Sequence, residues 1–410
     1  MLEHSFDFDA AQARQLLAGL PQAPAVFSLG FGERREPYVG RTPNLRRRLE
    51  RMLAPEGALS RRLLLLPHVR TVAWSPYGSE FEAALTLYRA LSSIYDAAGV
   101  RKRMRMRPAA YLRMATENEF PRLFVTTRYV RNGEERSFGP FPSRAAAERA
   151  CDTVLDLFQL RRCVEDLAPY PEHPACLYFE MKKCLAPCNQ TVTPERHRTE
   201  SEAVFACLRT RGASLLAALD AERAAASEAL EFERAAAVHQ RYEKAAAALA
   251  ELPEPMRLLS ELSAVVVQPA AEPGQVALFR LTSRGLGGPA PYVTLGMRLH
   301  NEQSGSSSLF SHPVALAPVP LDARAGEPAP DTLEERLETL LRALEAAMPA
   351  RPLAQQSEDA LALFARWAFR PAVKRTGEVI FAESDGTLPR KLLLRAISRV
   401  ARAAALPEPH

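Results

Sequence analysis

The chain has 410 residues with 47% hydrophobic and 25% charged side chains, so it is too long for one core and reads as roughly two to four domains of an ordinary soluble globular protein. The net charge of +5 is unevenly spread: residues 1–113 hold 18 Lys/Arg against 10 Asp/Glu, and residues 191–260 hold 9 against 11. No apolar run approaches a membrane span, and the acidic N-terminus lacks a secretory apolar core, so the expectation is a cytoplasmic protein without a membrane partner. The basic N-terminal part suits a phosphate backbone, although charge alone fits a solvated basic face as well.

In chain order, "AVFSL" and "PYVG" predict two strands of a hairpin, joined by the glycine-bearing turn "GFGERRE". "NLRRRLERML" places Leu45, Leu49 and Met52 at helical spacing behind Asn44 as N-cap. "RTVAWSP" predicts a third strand. "SEFEAALTLYRALSSIYDAAG" predicts one long helix, capped by Ser79 with Glu82 at its third position and stopped by Gly99. "RKRMRMR" (101–107) reads as a basic connector.

"PRLFVTTRYVRNGEERSFGPFPS" predicts a second hairpin with Asn132–Gly133 as its turn. Residues 144–160 read as helix, 163–190 as a cysteine-bearing loop, and 195–250 as nearly continuous helix with a break at Arg211–Gly212. After the linker "LPEP", residues 263–285 predict two strands around a Pro-Gly turn. Residues 323–331 read as a loose linker, and the tail from 332 as helical with a short hairpin at 377–389. The expected fold class is multidomain α+β: residues 1–100 a small α/β domain, 101–190 a linker hairpin and cysteine segment, 191–252 a helical region, and 256–410 a C-terminal α+β region.

Four of the six cysteines, Cys163, Cys176, Cys184 and Cys188, fall within one segment. Clustered thiols in a reducing compartment hold a metal or cluster more often than a disulfide. Their irregular spacing, without a CxxC pair, fits an iron–sulfur cluster better than a zinc ribbon. Cys151 and Cys207 lie on predicted helices and read as small core residues.

These blocks together resemble the UvrC subunit of the bacterial excision-repair nuclease and its shorter homologues. "LPQAPAVFSL…YVGRTPNLRRRL" is similar to the opening of a GIY-YIG nuclease domain, and "FPRLFVTTRYVRNGEERSFGPFPS" to the segment that follows it. "FQLRRC…ACLYFEMKKCLAPC" resembles the family's cysteine segment, and "LEFERAAAVHQRYEKAAAAL" its UVR motif. The resemblance covers about residues 20–250. It implies that Cys163, Cys176, Cys184 and Cys188 bind a 4Fe–4S cluster, and that the helical hairpin binds the helicase subunit UvrB. Phe232 is then the anchor, with Glu233 and Arg234 on a charged rim. DNA contact is expected from Arg46, Arg47, Arg101, Lys102 and Arg103.

The family's nuclease site uses two tyrosines, cationic residues and a glutamate that holds a divalent ion, Mg²⁺ or Mn²⁺. Tyr38 matches the second tyrosine, Arg48 the helix arginine, and Arg41 stands where the family has lysine. Phe27 replaces the first tyrosine and removes its hydroxyl. Leu87 falls at the metal ligand's position, and an alkyl side chain cannot hold a hard cation. No paired aspartates and histidine after residue 260 suggest the family's second, RNase H-like nuclease; Asp322, Asp331, Asp359 and Asp385 read as cap and turn residues. The expectation is an excision-repair protein that binds DNA and UvrB and either makes a single incision or binds without cutting. A third reading is an iron–sulfur nucleic-acid binder outside repair.

Overall fold

The computed structural model describes residues 2–32, 35–53, 65–129, 135–174, 176–294, 332–349 and 353–405. The chain is α+β and folds as two compact units that are not continuous in sequence. The first comprises Met1–Arg107, Ser263–Ala350 and Arg370–His410; the second comprises Pro108–Leu262 and Arg351–Phe369. The proposed linker at 323–331 and the turn at Asn132–Gly133 lie outside the described residues.

In the first unit, β1 (His4–Asp7), β2 (Ala25–Gly30), β3 (Tyr38–Thr42) and β4 (Thr71–Pro76) form an antiparallel sheet in the order β1-β4-β2-β3. Successive strand residues face opposite sides. Phe27, Leu29 and Val72 pack beneath α1 (Ala13–Ala18) and α2 (Leu45–Met52) through Leu17, Leu45 and Leu49. Val26 and Val39 pack on the other side with Ala83 and Leu87 of α3 (Glu80–Ser92). Asn44 caps α2 by accepting from the Arg47 amide at 2.9 Å, as its position before a helical pattern predicts.

The single helix expected over 79–99 is two. Helix α3 ends at Ser92, and α4 (Ala97–Met104) starts behind Asp96, whose carboxylate accepts from the Gly99 amide at 3.0 Å. Gly99 is therefore inside a first turn rather than a stop, and most of the expected basic connector is the end of α4. The edge strand β1 and helix α1 carry too few periodic residues to stand out in sequence.

The second unit holds β5 (Ala110–Ala115), β6 (Arg122–Thr126), β7 (Ser137–Phe141) and β8 (Arg257–Leu258) in the order β6-β5-β7-β8. The expected hairpin between β6 and β7 does not form, because β5 lies between them and pairs with both. Helix α5 (Arg144–Leu155) packs on β5 and β6, and the short α6 (Leu177–Glu180) lies in the cysteine loop. Helices α7 (Pro194–Arg209), α8 (Ala213–Glu228) and α9 (Phe232–Ala250) complete the core through Val204, Leu208, Leu219, Val238 and Leu249. Cys151 and Cys207 are buried in that core. The predicted break falls at Gly212 (φ +95), where a Cβ would stand 2.6 Å from the Leu249 side chain, so only glycine fits.

The chain then returns to the first unit. Strands β9 (Ser263–Pro269), β10 (Gln275–Thr282) and β11 (Gly285–Val293) form a meander, and β12 (Glu378–Phe381) pairs antiparallel with β9. The segment 377–389, expected as a hairpin, supplies one strand to this sheet. Helix α10 (Leu333–Ala346) begins with a Thr332–Glu335 capping box and packs on the sheet with α12 (Arg390–Ala405). Helix α11 (Ala354–Ala368) packs against β7 in the second unit.

The two parts of the first unit meet along α3. Phe81 stacks edge-on against Phe279 of β10 with ring centroids 5.0 Å apart. The Arg89 guanidinium donates to the carbonyls of Leu286 and Gly288 in β11. Gly78, ahead of the helix, lies so close to the Pro269 and Ala270 backbone that a Cβ would fall 2.2 Å from a carbonyl carbon.

Candidate functional site

Three places bring together the residues singled out by sequence: the β2–β3–α3 surface in the first unit, and the cysteine loop and the α8–α9 turn in the second. At the first, Phe27 and Tyr38 are neighbours with ring centroids 5.9 Å apart, packed across Gly40. Phe27 is fully buried, whereas Tyr38 is 40% exposed. The aromatic pair is thus present without the hydroxyl of its inner member.

The carboxylates of α3 are committed elsewhere. Glu80 pairs with Arg41 at 2.5 Å, both side chains being largely exposed. Ser79 caps the helix by accepting from the Glu82 amide at 3.1 Å, but the Glu82 carboxylate reaches back to the Gly78 amide at 2.8 Å instead of to Ser79. Glu82 is buried, and desolvation raises its pKa to about 7, opposed by the Gly78 amide. Leu87 packs with Val26 and Val39. Among the described residues, no carboxylate pairs with Tyr38 or Arg48, and no three His, Cys, Asp or Glu side chains are arranged to hold a single metal ion.

The cationic residues divide by environment. Arg46 donates to the Leu20 carbonyl at 2.6 Å and helps to anchor α2. Arg48 is half-buried on the same helix. Arg47 and Arg51 are exposed one turn apart, and Arg51 is a candidate contact recognisable from its i, i+4 spacing to Arg47. Arg103 stacks on Tyr95 and pairs with Glu36 at 3.2 Å, while Arg101 is half-buried and Lys102 exposed. Arg105 and Arg107 extend this exposed row.

In the second unit the cysteine loop folds back on itself. Lys182 and Ala186, between Cys176 and Cys188, and Gln190, just beyond them, all take left-handed backbone conformations that turn the chain tightly. Cys184 and Cys188 are buried, Cys163 is half-buried and Cys176 exposed. Burial pushes the Cys184 thiol up to about 11, opposed by the Ala186 amide, which donates to its Sγ at 3.3 Å. Cys176, Cys163 and Cys188 push it up further, so the four thiols share one electrostatic neighbourhood.

Helix α8 ends in a Schellman turn: the Glu231 amide donates to the Ala226 carbonyl at 2.8 Å and the Leu230 amide to the Ser227 carbonyl at 3.0 Å. Leu230 occupies the left-handed position (φ +59) where glycine is usual. Its side chain is 72% exposed and that of Phe232 is 66% exposed, so neither belongs to the hairpin's own core. Val238, by contrast, is a core residue. Glu233 is exposed, and Arg234 pairs with Glu231 at 2.9 Å and Glu222 at 3.8 Å. Of the four aspartates considered after residue 260, Asp385 accepts from Thr387 in a turn, Asp359 is buried on α11, and Asp322 and Asp331 lie outside the described residues.

Residues 109–207, from the first strand of the second unit to the end of α7, match the UvrC/Cho excinuclease middle domain. Residues 109–207 therefore carry the middle domain of the UvrC family. The UvrABC system protein C of Desulforudis audaxviator is 32% identical over 197 residues, which is 47% of this chain and 31% of that protein. That of Carboxydothermus hydrogenoformans is 31% identical over 199 residues, 47% of this chain and 31% of its own length. That of Legionella pneumophila strain Paris is 25% identical over 203 residues, 49% of this chain and 32% of its own length. The chain therefore spans about a third of the length of these curated UvrC relatives. No solved structure matches it. The UvrC middle-domain match encloses all four clustered cysteines and leaves Tyr38 and Phe232 outside. No helix among the described residues is long and apolar enough to cross a membrane.

Glu82 gives this architecture a pH signature. Between its ordinary value of 4.5 and about 7, the folded chain keeps a proton that the unfolded chain releases, so stability falls as pH rises through that window. Glu82→Gln removes the titration and should gain roughly 3 kcal/mol over the wild type between about pH 4.5 and pH 8. Denaturant titrations across that range check this; parallel pH profiles would show Glu82 ionised in the fold.

Proposed function

We propose that this chain is a cytoplasmic excision-repair protein of the UvrC family that binds DNA through its first unit and UvrB through the α8–α9 turn, without cutting. The observation that carries the reading is the turn itself. A leucine held in a left-handed conformation and a phenylalanine beside it both face solvent. Such strain and exposure suit a segment shaped for a partner more than one shaped for its own core. A matching helical hairpin would cover Leu230 and Phe232 and meet the charged rim of Glu231, Glu233 and Arg234.

The basic side chains Arg47, Arg51, Lys102, Arg105 and Arg107 supply a sequence-independent attraction for DNA phosphates. Cutting would need a base, a metal-holding carboxylate and a cation around one phosphate. Tyr38 and Arg48 remain, but Glu80 is tied to Arg41, Glu82 is buried, and Leu87 is alkyl.

The cysteine loop supports a 4Fe–4S cluster held by Cys163, Cys176, Cys184 and Cys188. Its two buried thiols, the amide donated to Cys184 and the mutual influence of all four sulfurs fit thiolate ligation. When bound, the cluster supplies a cross-link for the loop and a one-electron redox centre.

With UvrA, UvrB, Mg²⁺ or Mn²⁺ and a lesion-bearing duplex, the purified full chain should bind yet leave both strands intact. An incision that disappears in Tyr38→Phe would overturn the non-cutting role. Separately, Phe232→Ala should weaken UvrB binding by about 2 kcal/mol, roughly thirtyfold. Titration calorimetry reads this, and unchanged affinity in a folded variant would remove the turn from the interface.

A further inference from the structure

Arg161 is the largest side chain among the fully buried residues of the described chain, at 1% exposure. Its guanidinium donates to the carbonyls of Phe120 at 2.7 Å, Glu165 at 3.0 Å and Cys163 at 3.5 Å, and to Cys163 Sγ at 3.5 Å. None of these partners is a carboxylate. A buried guanidinium stays charged and needs an anion nearby. The ring of the neighbouring His197 cannot supply one, because an imidazole is either neutral or cationic. His197 is fully buried against Phe120, with both ring nitrogens unpartnered, and burial and the Arg161 charge lower its pKa to about 4. It is therefore neutral at physiological pH.

Among the hydrogen-bond partners of Arg161, the one that can carry a full negative charge is the Cys163 sulfur. As a neutral thiol it offers the guanidinium little. As a thiolate ligand of an anionic cluster it offers the missing negative charge. We propose that Arg161 is the buried counter-charge of the cluster: it positions Cys163 as a thiolate ligand and favours the reduced state, which carries one more negative charge. The inference rests on the cluster reading above. The electrostatic reason is direct: a cation close to the cluster in a poorly screened interior interacts more favourably with the more negative redox state.

The arrangement also explains why the loop is tethered where it is. Arg161 connects the turn ahead of β6, through Phe120, with the start of the cysteine loop, through Cys163 and Glu165. One side chain fixes the loop's entry and sets the charge beside its first sulfur.

The test uses the full chain purified without oxygen, as wild type, Arg161→Lys and Arg161→Gln. Iron and acid-labile sulfide are assayed first, and reduction potentials are then measured by titration with dithionite and redox mediators. Arg161→Gln should raise the ratio of oxidised to reduced cluster about tenfold at a fixed poise, equivalent to about 59 mV for one electron. Arg161→Lys, which keeps the cation, should stay nearer the wild type. If Arg161→Gln binds no iron while Arg161→Lys does, the requirement for positive charge is supported. Equal potentials in all three, equal shifts in both variants, or loss of iron from both with the wild type loaded, would each overturn the inference. A wild type that binds no iron and sulfide would instead sink the cluster reading, and this inference with it.

Discussion

Helix α3 is packed from two sides, and the first unit depends on that constraint. Ala83 and Leu87 pack with Val26 and Val39 of the N-terminal sheet. Phe81 and Arg89 reach the strands that follow residue 263. Burial of apolar surface on both sides contributes far more than any exposed ion pair along the helix. It also dictates what the helix can display. Position 87 is half-buried beside the Val26 cluster, where leucine adds apolar contact. The chain carries leucine there, consistent with a helix used for support.

The same division of labour runs through the second unit. Its core is built from β5, β7, α5 and the helices after residue 194, and it leaves two features for other work. The cysteine loop turns through left-handed residues that bury Cys184 and Cys188. The α8–α9 turn puts Leu230 and Phe232 into solvent. Neither feature contributes much to the core, and both spend conformational strain or apolar exposure that a purely structural loop would avoid.

Much of this was legible in the sequence where local chemistry decides. Asn44 and Ser79 announce helix starts because their side chains satisfy amides two or three residues on. The break at Gly212 and the cysteine grouping could be read in the same way. The errors have physical reasons. Asp96 competes with helix continuation through its own amide-binding side chain, which split an apparently single helix. Strand β5 displaced a hairpin because pairing is chosen by tertiary fit as well as by turn signals. Strand β11 is not anticipated by the sequence, because glycine and proline are depleted in strands and its pairing with β10 is what makes it one. Arg41–Glu80 and Arg161–Phe120 join residues 39 and 41 positions apart, so no local pattern could reveal them.

The central claim is that α3 supports the first unit and holds no catalytic cation. Electron paramagnetic resonance of Mn²⁺ added to the full chain with a DNA duplex tests it most directly. The account predicts spectra in wild type identical to those in Glu80→Gln and Glu82→Gln, with no bound Mn²⁺ attributable to either carboxylate. A bound Mn²⁺ signal in the wild type that vanishes in either variant would contradict it.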